Sequence, residues 1–209
     1  MPSQTHAVHL YLPDGLADWE PGYAIAGINN PMWQVEPGRY QVQTVGASSE
    51  PVRTVGGVTI LPDTTLEALD PARSAMLILP GSYAFEEGGH LEALAKAQAF
   101  LAAGVPVAAI CGATFGLASV GVLDDKRHTS SALIYLQQCP SYRGEGLYQD
   151  EPAVTDGDLI TASPTAPVDF AYHIFKKLGI YADDTLEAWF RLFKHGDASA
   201  FFALEQAAA

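Results

Sequence analysis

The residue with the most chemistry gathered around it is Cys111, in the run VPVAAICGATFGLASVGVL (residues 105–123). An apolar strand pattern ends at Ile110 and a helical pattern begins within a few residues. Cys111 therefore falls on a tight strand-to-helix turn beside the small residues Gly112 and Ala113. A side chain at such a turn is lifted above the strand ends, and the following backbone N–H groups point toward it. Those amides and the positive end of the helix dipole favour thiolate over thiol, which predicts a pKa below that of a free cysteine. They also suit an oxyanion formed when sulfur attacks a carbonyl or imine. The turn has the shape of the nucleophile elbow of hydrolases, without the G-x-S-x-G pattern. The competing reading is simple packing, since free cysteine is among the most buried residue types.

The other candidate ligands are scattered. His6 and His9 fall on the first strand, His90 precedes a helix and His173 lies on a late helix. Cys139, next to Pro140, reads as structural. None of these has metal-ligand spacing, and no Walker loop or G-x-G-x-x-G follows a strand, so neither a metal nor another cofactor is expected.

The elements that position Cys111 alternate between β and helical patterns, the mark of a mostly parallel sheet covered by helices. Strands are predicted at residues 6–12, 40–45, 75–79 and 105–110. A hairpin about Gly56-Gly57 is predicted within 52–61, and another at Asp156-Gly157 within 153–161. Helices are predicted at 19–28, 91–103, 114–123, 166–178 and 184–193, with a short one at 198–205. Residues 29–38 read as an inserted loop near the site. The expected fold is an α/β, flavodoxin-like three-layer sandwich. Its mostly parallel sheet has helices on both faces, and its nucleophile elbow is at Cys111. Residues 1–209 form one domain with a C-terminal helical extension at about 184–206.

Composition narrows the partners. Lys and Arg number 11 against 24 Asp and Glu, a formal charge of -13. Such a surface repels phosphate backbones and anionic lipid headgroups, so no nucleic acid or membrane partner is expected. Residues 97–123 carry no charge and are long enough to span a bilayer. Gly104-Val105-Pro106 and Cys111-Gly112 would break such a span, and a helix, a buried strand and a second helix fit better. The first residues lack a basic segment followed by an apolar run, so no signal peptide is expected. With only two cysteines, the chain reads as a reduced, cytoplasmic protein.

Four segments in order, DGLADWE (14–20), LPGS (79–82), AICGAT (109–114) and TDGDLITAS (155–163), make the chain resemble the ThiJ/PfpI superfamily. That superfamily has the class I glutamine amidotransferase-like fold. The resemblance implies that Glu20 is the acid that hydrogen-bonds the cysteine, where a protonated carboxyl would favour thiolate. An acid in a helix's first turn also simply complements the dipole. The Gly81-Ser82 turn matches the second contributor to an oxyanion site, opposite Gly112. The resemblance also implies a homodimer, for which Trp19, Trp33, Trp189, Phe190, Phe193, Phe201 and Phe202 offer apolar surface. Half-buried helices would explain those aromatics equally.

The match departs from the superfamily at histidine. Gly112 stands where many members have one, and Ser130 or Ser131 aligns with a second. His128 lies two or three positions earlier; a period-two strand can turn it away as a packed or surface histidine, and His128, Ser130 and Ser131 stand as candidate pocket residues beside that reading. No H-x-E pair follows the last core strand, which disfavours glutamine hydrolysis for ammonia transfer, and peptidase activity is equally disfavoured. The expected function is a hydrolase or lyase acting on a small electrophile. Cys111 would be the nucleophile, Glu20 its proton partner, and the amides of Gly81, Ser82 and Gly112 the oxyanion donors. Asp18 and Thr114 would line the entrance. The alternative is a cysteine-based sensor or protective protein whose partner is an oxidant.

Overall fold

The computed structural model describes residues 5–207. Its strands are β1 (His6–Tyr11), β2 (Tyr40–Gly46), β3 (Val52–Arg53), β4 (Thr59–Ile60), β5 (Thr64–Thr65), β6 (Ser74–Leu79), β7 (Val107–Ile110), β8 (Ala153–Asp156) and β9 (Leu159–Ala162). Its helices are α1 (Trp19–Asn29), α2 (Leu91–Ala102), α3 (Gly112–Ser119), α4 (Leu133–Leu136), α5 (Pro167–Leu178), α6 (Asp183–His195) and α7 (Ser199–Ala207). Seven strands form one sheet in the order β5-β2-β1-β6-β7-β9-β8, and β3-β4 form a separate hairpin. All neighbours in the large sheet run parallel except β8, which returns antiparallel along β9.

The central strands are apolar on both faces because helices cover both. In β6, Met76 and Ile78 face a core shared with α1 and α5, while Leu77 and Leu79 face one shared with α2 and α3. In β7, Ala108 and Ile110 alternate in the same way with Val107 and Ala109. Each fully buried Leu or Ile contributes about 2 kcal/mol. This is a mixed, mostly parallel sheet between helical layers, as in flavodoxin-like folds. Leu186, Ala188 and Trp189 of α6 and Ala200 and Leu204 of α7 join the core under α1 and α5. The uncharged stretch 97–123 divides among α2, β7 and α3. No helix among the described residues is long and apolar enough to cross a membrane.

Three expectations are corrected. The helix expected at 114–123 starts at Gly112 and stops at Ser119; Gly121 (φ +77°) and the Val122 N–H to Leu117 carbonyl bond end it in a left-handed turn. Around His128 there is only an isolated bridge to Tyr148, followed by the short α4, because this segment pairs with a loop instead of joining the sheet. The 29–38 loop does not shape the cysteine site. Gln34 Nε2 donates to the carbonyls of Gly27, Ile28 and Asn30, capping the C-terminal end of α1. Glu20 lies at the opposite end of that helix.

Candidate active site

β7 delivers Cys111 to the carboxyl edge of the sheet, where parallel α/β proteins bind ligands. Its backbone stands at φ +58°, ψ -128°, a conformation that costs a non-glycine residue on the order of 1–3 kcal/mol. Three hydrogen bonds hold it there. The Cys111 N–H donates to the Ala162 carbonyl (3.1 Å). The Cys111 carbonyl accepts from the Thr114 N–H (3.0 Å) and the Thr114 hydroxyl (2.6 Å). The thiol is half-buried.

Two glycines allow the neighbouring backbones to close on the thiol. A Cβ on Gly112 would stand 2.7 Å from the Ser82 carbonyl oxygen. One on Gly81 would stand 2.8 Å from Cys111 Cβ and 3.0 Å from both Glu20 Oε2 and the Gly112 nitrogen. Glu20, 1 % exposed in the first turn of α1, accepts the Gly81 N–H on Oε2 at 2.6 Å. Its Oε1 is buried with no hydrogen-bond partner.

The charges in this cluster are coupled. Burial pushes the Glu20 carboxyl up to about 7, against the lowering effects of the Gly81 amide and the Cys111 thiol. Burial, followed by the Glu20 carboxylate, pushes the Cys111 thiol up to about 12, and the Gly112 amide only partly offsets this. The expected lowering of the thiol pKa is therefore reversed with Glu20 ionised. One helix start and one amide do not outweigh desolvation plus an adjacent negative charge. The two groups titrate as a pair, with the carboxyl giving up its proton before the thiol.

The sequence-predicted residues divide into two groups. Cys111, Glu20, Gly81, Ser82 and Gly112 come together. Gly81 is corrected as an oxyanion donor, because its amide is committed to Glu20. The Ser82 amide has no hydrogen-bond acceptor within 5–207, and the Gly112 amide faces the Cys111 thiol. The Ser82 hydroxyl is structural and donates to the Asp14 carbonyl. Thr114 is corrected as an entrance residue. Asp18 Oδ2 accepts the Gly56 N–H at 2.7 Å and so anchors the β3-β4 hairpin. Thr114 is fully buried and bonds Ser130 Oγ behind the turn.

His128 is not in the site. Its ring nitrogens are engaged by the Lys126 carbonyl and the Tyr142 hydroxyl, both at 2.7 Å, and the side chain is fully buried. Ser131 opens on a separate cleft of about 280 Å³ with Asp150, Glu151, Ser163 and Lys194. Among the described residues no three His, Cys, Asp or Glu side chains gather as a metal site. Cys139 is buried against Ser141.

Sequence reading missed Glu86 and Tyr135. The Tyr135 hydroxyl donates to Glu86 Oε1 at 2.6 Å, and both groups are close enough to Cys111 to act on its charge or feel it. Glu86 sits in an E-E-G-G turn and Tyr135 in a four-residue helix, neither of which has a distinguishing sequence pattern.

Residues 6–177 match the DJ-1/PfpI family. The chain is 41% identical over 203 residues to an uncharacterized protease, YoaZ, of Bacillus subtilis, covering 96% of this chain and 97% of that one. A thiJ/pfpI family protein from Bacillus anthracis superposes with a TM-score of 0.92 at 39% identity, over 100% of this chain and 99% of that one. A DJ-1 superfamily protein from Agrobacterium tumefaciens superposes at 0.82 and 33% identity, over 92% and 99%. Fold, sequence and matched span agree: this chain belongs to the DJ-1/PfpI family.

Proposed function

We propose that this protein is a small-molecule hydrolase or lyase whose nucleophile is Cys111, set on a nucleophile elbow and served by Glu20. The observation that carries this reading is the pairing of a strained cysteine with a buried carboxyl whose second oxygen has no partner. With one proton in the pair, sulfur attacks an electrophilic carbonyl carbon and the S–C bond forms. The C=O π pair moves to oxygen, facing the Ser82 and Gly112 amides. The thiol proton passes to the Glu20 carboxylate and from there to the oxyanion, leaving a hemithioacetal. With His128 tied elsewhere, Glu20 is the proton carrier. The engagement of both His128 ring nitrogens weighs against peptidase chemistry here, despite the name of the Bacillus subtilis relative.

The decisive measurement is the rate of Cys111 alkylation against pH, followed by peptide mass spectrometry. In wild type the rate rises through about pH 7, where the pair loses its first proton. In Glu20→Gln the buried thiol must ionise alone, and the midpoint moves above the free-cysteine value of about 8.5. Equal midpoints in the two proteins would end the paired-site reading. Turnover of a panel of small aldehydes, lost in Cys111→Ala, then establishes the enzyme.

The unpartnered Glu20 Oε1 favours a second reading, a cysteine-based oxidative-stress sensor or protective protein. Sulfur attacks a peroxide oxygen, the O–O bond breaks, the sulfur is oxidised to sulfenic acid and the alcohol leaves with the proton. A second peroxide gives sulfinic acid, whose oxygen a protonated Glu20 can bond. Stable oxidation without turnover on the panel would select this reading. We also take a homodimer as the working assembly. Trp19 and the hairpin residues Val55 and Val58 are exposed apolar side chains that a second copy would cover; sedimentation at equilibrium tests this.

A further inference from the structure

We propose that Glu86, held over the start of α3 by Tyr135, makes the mouth of the Cys111 site an anionic filter that favours neutral electrophiles and disfavours carboxylates. The inference rests on the thiol reading above and names its substrate class. Both ends of the strap are fixed. Tyr135 packs on Phe115, one turn beyond Cys111, with ring centroids 5.3 Å apart, and its hydroxyl donates to Glu86 Oε1 at 2.6 Å. On the other side the Glu86 N–H donates to the Tyr83 carbonyl at 3.1 Å. The adjacent Phe85 is 1 % exposed and lies against Gly116, where a Cβ would come within 2.5 Å of its ring. The carboxylate is thus anchored between the Ser82 turn and the elbow helix.

No cationic side chain within 5–207 pairs with it. Tyr135 is a neutral donor, and no ion pair within 5–207 includes Glu86 or Glu20. Glu86 is close enough to raise the thiol pKa, after the larger effects of burial and Glu20. A negative substrate group approaching the sulfur must pass this fixed charge. A neutral aldehyde or amide-bearing electrophile does not meet that repulsion.

The test compares iodoacetamide with iodoacetate on Cys111, with a small neutral thiol as the reference. In each reagent the sulfur displaces iodide and an S–C bond forms. The thiolate fraction therefore cancels in the ratio of rates, and only the reagent's charge differs. In wild type the amide-to-acetate ratio exceeds that of the reference thiol. Glu86→Gln lowers the ratio about fivefold, the size of one screened charge at a few ångströms. Tyr135→Phe, which keeps the packing on Phe115 but frees the carboxylate, lowers it by a smaller factor. Glu87→Gln makes the same change in net charge one residue away without a bond to Tyr135, and leaves the ratio within about twofold of wild type. An alkylated Cys111 whose ratio is unmoved by Glu86→Gln, or moved equally by Glu87→Gln, overturns the filter alone. A Cys111 inert to both reagents in every variant overturns the thiol reading and the filter together.

Discussion

Two polar clusters meet at Cys111 and are built on opposite rules. Behind the turn, Thr114 bonds the Cys111 carbonyl and Ser130. Thr129 donates its N–H to Thr161 Oγ1 and its hydroxyl to the Glu151 carbonyl. His128 uses both ring nitrogens. These polar atoms close on one another, as buried polar atoms generally do. In front, Glu20 keeps one buried oxygen without a partner, and the Ser82 amide has no hydrogen-bond acceptor within 5–207. Unmade bonds in a buried place cost stability, so the back of the turn is self-satisfied, whereas the front carries a cost that the proposed thiol site would put to use.

The largest predicted effect tests whether the front depends on backbone contact. Gly112→Ala places a methyl 2.7 Å from the Ser82 carbonyl oxygen, an atom that cannot swing away. The expected loss is about 3 kcal/mol in urea unfolding, with Cys111 alkylation falling in parallel. A neutral outcome would mean that the two turns are looser than the geometry implies.

Glu20→Gln comes next and sharpens the contrast, because stability and reactivity should move in opposite directions. The variant keeps an acceptor for the Gly81 amide and removes the buried charge. A carboxyl whose pKa rises from 4.5 to about 7 on folding binds its proton more tightly in the folded state. Its favourable contribution is complete below 4.5 and is lost as pH rises through about 7. Glu20→Gln is therefore more stable than wild type above pH 7, with a ceiling on the order of 3 kcal/mol, and similar below 4.5. Chemical denaturation at pH 4.5 and 8 reads this directly.

Behind the turn, Thr114→Val leaves the Cys111 carbonyl with one donor and the Ser130 hydroxyl without its partner. The expected cost is about 2 kcal/mol. The alkylation midpoint should stay near 7, because the Glu20–Cys111 pair is untouched. A midpoint that moved by a full unit would show that the back and the front of the turn are one unit.

What the sequence made legible follows the same division. That Cys111, Gly112 and Gly81 meet was readable because a strand-turn-helix and a glycine turn are local features, and that Glu20 joins them because its segment resembles a family pattern. The cores were readable from period: β6 and β7 read as buried strands and are. Thr114, Ser130 and His128 were misplaced because their contacts depend on residues 120–131, which belong to no regular strand and fold by long-range bonds such as that from Arg127 N–H to Asp156. Glu86 and Tyr135 come from a turn and a single helical turn brought together across 49 residues. The direction of the thiol's titration was misread for a related reason. An amide next in sequence is visible in a string of letters, but the burial that outweighs it is not.

The smallest effect separates the clusters by the sign of their pH dependence. Burial lowers the His128 pKa from 6.5, ahead of the raising effects of the Lys126 carbonyl and Asp124. The folded state therefore holds the ring neutral, and the unfolded chain binds more protons on the acid side. His128 contributes its full stability above 6.5 and loses it as pH falls below that value, the reverse of Glu20. His128→Gln keeps a polar side chain toward Tyr142 and cannot protonate, so it flattens the acid-side decline while costing about 1 kcal/mol at pH 8. Alkylation of Cys111 should keep its wild-type pH profile in this variant. If that profile shifted instead, the histidine would be coupled to the thiol and the clusters would not be separate.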